Sequence, residues 1–157
     1  MASNAAKVGA GVSAAVLLAA GALIAKWEGV RYTPYYDSVG VLTVCYGHTG
    51  PDIVPGKRYT LAECHALLDA DMREANGYVR KCLPMPLLNQ IEVALTSATF
   101  NLGPQVVCGS TLQRKAKAND WPGACAELSR WNKAGGREIR GLTLRRGDER
   151  KICEGRE

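Results

Sequence analysis

The stretch KWEGVRYTPYYDSVGVLTVCYGH, residues 26–48, decides how this chain is read. It sets Glu28 directly behind a long apolar segment, Asp37 nine positions later and Thr43 six beyond that. Pro34 breaks the helical pattern, and the β-branched and aromatic residues of 35–46, around Gly40, predict two short strands joined by a turn. Trp27 and Glu28 are expected on the helix that enters this region, with Asp37 and Thr43 on the hairpin. Cleaving a glycosidic bond needs an acid to protonate the departing oxygen and a second group to deliver water, usually a facing pair of carboxylates. Glu28 and Asp37 can supply that pair, and Thr43 can hold a water through its hydroxyl. Trp27 and the apolar residues before it would desolvate the Glu28 carboxyl, as a general acid near neutral pH requires. Taken alone, two acids and a threonine are a weak pattern, and solvated surface acids are the default reading.

Upstream, residues 8–25 (VGAGVSAAVLLAAGALIA) lie uncharged between Lys7 and Lys26. A helix of that length rises roughly 27 Å, close to the roughly 30 Å hydrocarbon core of a bilayer. Ten of the eighteen residues are Gly or Ala, which gain less on entering lipid than Leu, Ile, Val or Phe. The segment therefore reads as a weak membrane anchor. Two other readings stay open: a cleavable signal peptide with small residues at 20–22, and an Ala-rich helix packed closely in a soluble fold.

The remaining part of the 157-residue chain is long enough for one domain with a real core. A net charge of +5 and a pI near 9.0 suggest an anionic partner, without choosing among nucleic acid, a membrane surface and a wall polymer. The six cysteines Cys45, Cys64, Cys82, Cys108, Cys125 and Cys153 include no CxxC pair, which removes zinc-site and thioredoxin-like spacings. Their even number behind an export-like segment argues for disulfides in an oxidising compartment. Fifteen pairings are open.

Downstream, Thr60-Leu61-Ala62-Glu63 is a capping-box pattern, and the apolar spacing that follows predicts a helix to about residue 80. Leu87, Ile91, Ala94, Leu95, Ala98 and Leu102 predict a core helix that Gly103-Pro104 stops. Residues 111–118, 122–131 and 145–153 read as shorter amphipathic helices, with Gly135-Gly136 as a break. The fold class is α+β and mainly helical: a small lobe joined by a helix to a larger helical lobe, with a cleft between them.

Trp27-Glu28-Gly29, Tyr35-Tyr36-Asp37, Leu42-Thr43-Val44 and Gly47-His48 resemble the catalytic region of T4-type phage lysozymes. That pattern runs Glu, eight residues, Asp, five residues, Thr, then Gly-His, and the spacing matches throughout. Phe100-Asn101-Leu102-Gly103, Ser110-Thr111-Leu112, Trp131 with Gly135-Gly136, and Gly141 through Arg146 resemble second-lobe motifs of the same family. The resemblance covers about residues 26–153.

It implies a lysozyme-like two-lobed fold, with a small lobe over 26–59, a connecting helix over 60–80 and a helical lobe over 81–157. It also implies a muramidase that hydrolyses the β-1,4 bond between N-acetylmuramic acid and N-acetylglucosamine in peptidoglycan. Glu28 would be the general acid, Asp37 would assist water or stabilise the transition state, and Thr43 would position that water. Inversion would require the two carboxyl groups to stand about 6.5 to 9.5 Å apart. Asn101, Arg145 and Arg146 are candidates for contacting sugar or peptide, with packing of the C-terminal helix as the alternative. His48 is expected to be structural, paired with Asp71, and no metal or other cofactor is implied. Trp121 and Trp131 read as core residues.

The Gly/Ala-rich segment resembles the signal-arrest-release anchors of certain phage endolysins. The implied partners are peptidoglycan and, through residues 8–25 before release, the host inner membrane; nucleic acid is not among them. The implied location is the periplasmic side of that membrane and then the periplasm, as a monomer. Activity would be withheld while the chain is tethered. The segment contains no cysteine, so control by reshuffling a disulfide does not apply. Family resemblance and proximity pair Cys45 with Cys64, Cys82 with Cys108, and Cys125 with Cys153. A lytic transglycosylase, a noncatalytic wall-binding module and a membrane-permeabilising protein are the competing classes.

Overall fold

From Ala14 onward the apolar segment ahead of Glu28 folds as a helix, α1 (Ala14–Glu28), the first among the described residues, in a computed structural model that describes residues 11–156. Ser13 caps it by accepting from the Val16 N–H, and Gly29 ends it at φ +66°, a left-handed conformation that glycine adopts without cost. Val16, Ala20, Leu23 and Ile24 recur on one face and are buried. They form a core cluster with Leu68, Met72 and Val93. The opposite face is also apolar but uncovered, and Leu18 is 76% exposed. Among the described residues no helix is long and apolar enough to cross a membrane. The first three positions of the expected 8–25 anchor lie outside the described residues, as does residue 157.

After α1 the chain forms β1 (Arg31–Tyr36), β2 (Leu42–Cys45) and β3 (His48–Thr49), an antiparallel sheet in that order. The strand starts earlier than the sequence suggests, because Pro34 lies inside β1 instead of breaking it. β1 is an edge strand, and its register shifts between Arg31 and Tyr35, so the missing proline N–H is tolerated. Beneath the sheet, Val44, Cys45, Ile53, Tyr59 and Cys64 make the core of the small lobe.

The connecting helix α2 (Leu61–Cys82) begins at the expected capping box: Thr60 Oγ1 accepts from the Glu63 N–H and Glu63 accepts from the Thr60 N–H. Next come α3 (Asn89–Leu102), α4 (Thr111–Lys117), α5 (Trp121–Glu127) and α6 (Arg140–Cys153). α3 is the central element, packed by α1, α2 and α6. Trp121 and Trp131 pack against the helical-lobe core that surrounds it. α6 starts at Arg140, five residues before the expected start, despite Gly141. The Gly135-Gly136 break is the turn of a small hairpin, β4 (Lys133–Ala134) with β5 (Arg137–Glu138). Both glycines have positive φ, as a two-residue hairpin turn requires.

The disulfides join Cys45 to Cys64, Cys82 to Cys108, and Cys125 to Cys153, the pairs given by resemblance and proximity. The first ties β2 to α2, the second ties the end of α2 to the turn after α3, and the third ties α5 to α6. Each contributes on the order of 3 kcal/mol by restricting the unfolded chain.

The burial on α1 predicts a contrast between its two faces. Ile24→Ala removes a fully buried side chain and should cost about 2–5 kcal/mol. Leu18→Ala on the open face should change stability by less than about 0.5 kcal/mol. Chemical denaturation of the two variants checks this.

Candidate active site

Glu28 is the last residue of α1, so the helix delivers its carboxyl to the junction with the sheet. Arg145 Nη1 of α6 donates to Glu28 Oε1 at 2.7 Å. On its other side the carboxylate lies against the turn between β2 and β3. A Cβ placed on Gly47 would stand 2.9 Å from Glu28 Oε2, so only glycine admits this approach, and its φ of +72° favours glycine as well. The expected apolar wall beside Glu28 is not what Trp27 provides. Its indole turns to α6 and donates to Asp148 Oδ2 at 3.1 Å, and the group that meets Glu28 is a guanidinium.

Asp37 follows the end of β1, at the hairpin turn. Its Oδ1 accepts from the Val39 and Val41 N–H groups, both at 2.9 Å, and its own N–H donates to the Val41 carbonyl. One carboxylate oxygen is thereby committed to the turn, which orients the other. Thr43 pairs with Tyr35 on one side and Thr49 on the other. Its hydroxyl donates to the Val41 carbonyl at 2.9 Å, which leaves the oxygen lone pairs as acceptors for a water. The hairpin thus holds Asp37 and Thr43 through one shared residue, Val41.

The three weaker candidates lie deeper. Arg146 is fully buried and Arg145 nearly so. Arg146 Nε stands 2.7 Å from Glu149 Oε2, and its Nη2 donates to Asn101 Oδ1 at 2.8 Å. Ser97 Oγ donates to Glu149 Oε1 at 2.8 Å. Burial pushes the Glu149 carboxyl up, with the neighbouring Arg146 and Ser97 opposing the shift, and it pushes the Arg146 guanidinium down. Arg146 is thus engaged in packing α6 on α3, and Asn101 gives it one amide oxygen. Arg145 acts on Glu28. What the sequence did not reveal is Asp148, which ties Lys26 and Trp27 to α6.

His48 occupies its expected structural place. Its Nδ1 lies 2.7 Å from Asp71 Oδ2, and its Nε2 lies 3.0 Å from Asp52 Oδ1. Burial alone would lower the imidazole pKa, but the two carboxylates outweigh it and the pKa is raised. Exposed Asp52 is lowered by His48, whereas burial raises Asp71 against the pull of the same ring. The pairing joins β3 and the following loop to α2. The other histidine, His65, stacks on Tyr46. Among the described residues no cluster of three His, Cys, Asp or Glu could hold a metal ion.

Between the lobes, Gly47 and Thr49 face Phe100, Gly103 and Pro104 across a cavity of about 240 Å³ floored by Asp71, Glu74 and Tyr78 of α2. A helix-borne glutamate against an arginine, a hairpin aspartate and a cleft beside Gly47, which neither carboxylate lines, are consistent with a glycosidase of lysozyme architecture. The family model for phage lysozyme matches residues 25–149, and the chain belongs to that family.

Similar proteins agree. The chain is 50% identical over 130 residues to a SAR-endolysin of Bacteriophage PS119, covering 80% of this chain and 75% of that one. It is 48% identical over 130 residues to a SAR-endolysin of Enterobacteria phage P21, covering 80% and 76%. Its structure resembles the active form of the P1 phage endolysin Lyz with a TM-score of 0.78 at 26% identity, covering 94% and 97% of the two chains. The protein is an enzyme, a lysozyme of the phage endolysin type that acts on peptidoglycan.

The His48 cluster sets a pH dependence. A raised folded-state pKa gives stability that is fully present below the ordinary imidazole value of about 6.5 and is lost as pH rises through the folded value. The lowered Asp52 adds stability above the ordinary carboxylate range that is lost on acidification, and the raised Asp71 subtracts from it. The melting temperature of the parent should therefore decline from mildly acidic to alkaline pH. His48→Asn should lower it by the equivalent of about 1–3 kcal/mol at pH 6 and flatten the decline. Thermal melts of both proteins across that range check this.

Proposed function

We propose that the chain cleaves the β-1,4 bond between N-acetylmuramic acid and N-acetylglucosamine with Glu28 as the general acid. Asp37 assists the attacking water or stabilises the oxocarbenium-like transition state, and Thr43 accepts a hydrogen bond from that water. Arg145 holds the Glu28 carboxyl from the side of α6. Residues 1–25 form a releasable membrane segment, and 26–157 form the lysozyme domain, with its small lobe over 26–59, connecting helix over 60–80 and helical lobe over 81–157. Before release the enzyme is tethered on the periplasmic side of the host inner membrane; afterwards it works as a monomer in the periplasm.

One observation carries the tethering reading: the apolar segment and the support of Glu28 are the same helix. α1 cannot lie in lipid while Val16, Ala20, Leu23 and Ile24 pack on Leu68, Met72 and Val93. With Ala25 at the bilayer edge, Glu28 is only about 10 Å of extended chain away. The carboxyl then has no docked helix end to hold it against Arg145 and Gly47. Two further features support the reading: the uncovered apolar face of α1, which suits a helix that has also faced lipid, and the SAR-endolysin names of the relatives.

Mass spectrometry of glycan ends after digestion of purified peptidoglycan tests the chemistry. The parent should produce reducing muramic-acid ends, and Glu28→Gln should lose at least about a hundredfold in rate while remaining folded. Anhydro ends would instead mean a transglycosylase, and wall binding without cleavage a noncatalytic module. Fractionation of cells that make the full chain tests the tether. The intact polypeptide should appear first with the membrane and later in the periplasm at unchanged mass; a shortened periplasmic product would mean a cleaved signal peptide.

A further inference from the structure

We propose that Asp148 is a positioning residue for the Glu28 carboxyl, acting through its contacts with Lys26 and Trp27 in the last turn of α1. The inference rests on the reading of Glu28 as the general acid. The buried face of α1 ends at Ile24; after it Lys26 is exposed, and Trp27 and Glu28 are half-buried. Gly29 then turns the chain at φ +66°. The turn that carries Glu28 is therefore anchored in the core only through Trp27, which packs half-buried against the α1 cluster, and a helix end with few fixed partners frays.

Polar contacts to α6 add direction to that single apolar contact. Lys26 Nζ lies 2.6 Å from Asp148 Oδ2, and the Trp27 indole N–H donates to the same oxygen at 3.1 Å. Arg145, which holds Glu28, is three residues before Asp148 and so on the same face of α6. Three successive residues of α1 are thereby gripped by two residues one helical turn apart.

The grip is mainly geometric in effect. Lys26 and Asp148 are 60% and 29% exposed, so solvent screens the ion pair and it adds little to stability. The Trp27 bond to a carboxylate is directional and charge-assisted, and it fixes the rotation of the helix end. Arg145 alone joins two long side chains and leaves that rotation free. The Glu28 carboxyl sits between Arg145 and the side-chain-free backbone of Gly47, so turning the helix end would carry it away from both neighbours. A displacement on the order of 1 Å in a reacting group can cost about a hundredfold in rate.

The test compares Asp148→Ala, Asp148→Asn, Trp27→Phe and Glu28→Gln in the full chain. Each is assayed for kcat and KM on soluble peptidoglycan glycan fragments, at a temperature where circular dichroism shows it folded. Asp148→Ala should lower kcat by about 10- to 100-fold with KM changed less than about twofold. Asp148→Asn still accepts from Trp27 and should recover most of that loss. Trp27→Phe keeps the ring but not the N–H; it should lower kcat, and combining it with Asp148→Ala should add little.

A folded Asp148→Ala with parental kcat overturns the proposal, as does an activity loss that tracks only the unfolded fraction. Should Asp148→Ala not fold, Trp27→Phe decides, and a parental kcat there overturns the proposal as well. An inactive Glu28→Gln beside a fully active Asp148→Ala removes the positioning role alone. An active Glu28→Gln removes the general-acid reading and with it the role of Asp148.

Discussion

Glu28 reaches its place only because α1 is docked. Four residues on one face of that helix, Val16, Ala20, Leu23 and Ile24, bury themselves between α2 and α3. Their burial positions a carboxyl that lies outside the core. Gly21 faces the end of the Met72 side chain, where an added Cβ would make an ordinary contact at 3.4 Å. The small residues that make the segment a weak membrane span also let it seat closely against α2. One composition serves lipid poorly and protein packing well.

α6 is the second half of this arrangement. Its inner side carries a fully buried ion pair, Arg146 with Glu149, tied to α3 by Asn101 and Ser97. Desolvating two charges is costly, and removing one partner of such a pair typically destabilises by about 3–5 kcal/mol because the other is left buried and uncompensated. The pair therefore resists rotation of α6 relative to α3. A fixed α6 in turn aims Arg145 at Glu28 and Asp148 at Lys26 and Trp27. Charges in the core thus set the position of charges at the site.

The small lobe is held by different means. It is too small for a large core of its own, and Cys45–Cys64 ties β2 to α2 within its apolar cluster. His48, between Asp71 and Asp52, makes a second link from the sheet and its following loop to α2. Asp37 closes the hairpin by accepting from the backbone of its own turn, and Thr43 braces the same loop through Val41. These contacts order the hairpin before any substrate arrives.

The sequence alone determined the hairpin that bears Asp37 and Thr43, the capped α2 and the core helix α3 and, through family resemblance, the pairing of His48 with Asp71 and the two-lobed fold. Helical periodicity, capping residues and turn glycines act over a few positions, so the chain states them locally. The tertiary structure decided that Pro34 stays within an edge strand, that Gly135-Gly136 turns a hairpin, and which face of a uniformly apolar α1 is buried. It also turned Arg146 and Asn101 inward, set a guanidinium beside Glu28, and brought Asp148 to Lys26 and Trp27. The physical reason is range. Arg145 and Glu28 are 117 positions apart, and Asp148 and Lys26 are 122, distances over which no local pattern pairs one charge with another and only the packing of α1 and α6 on α3 does.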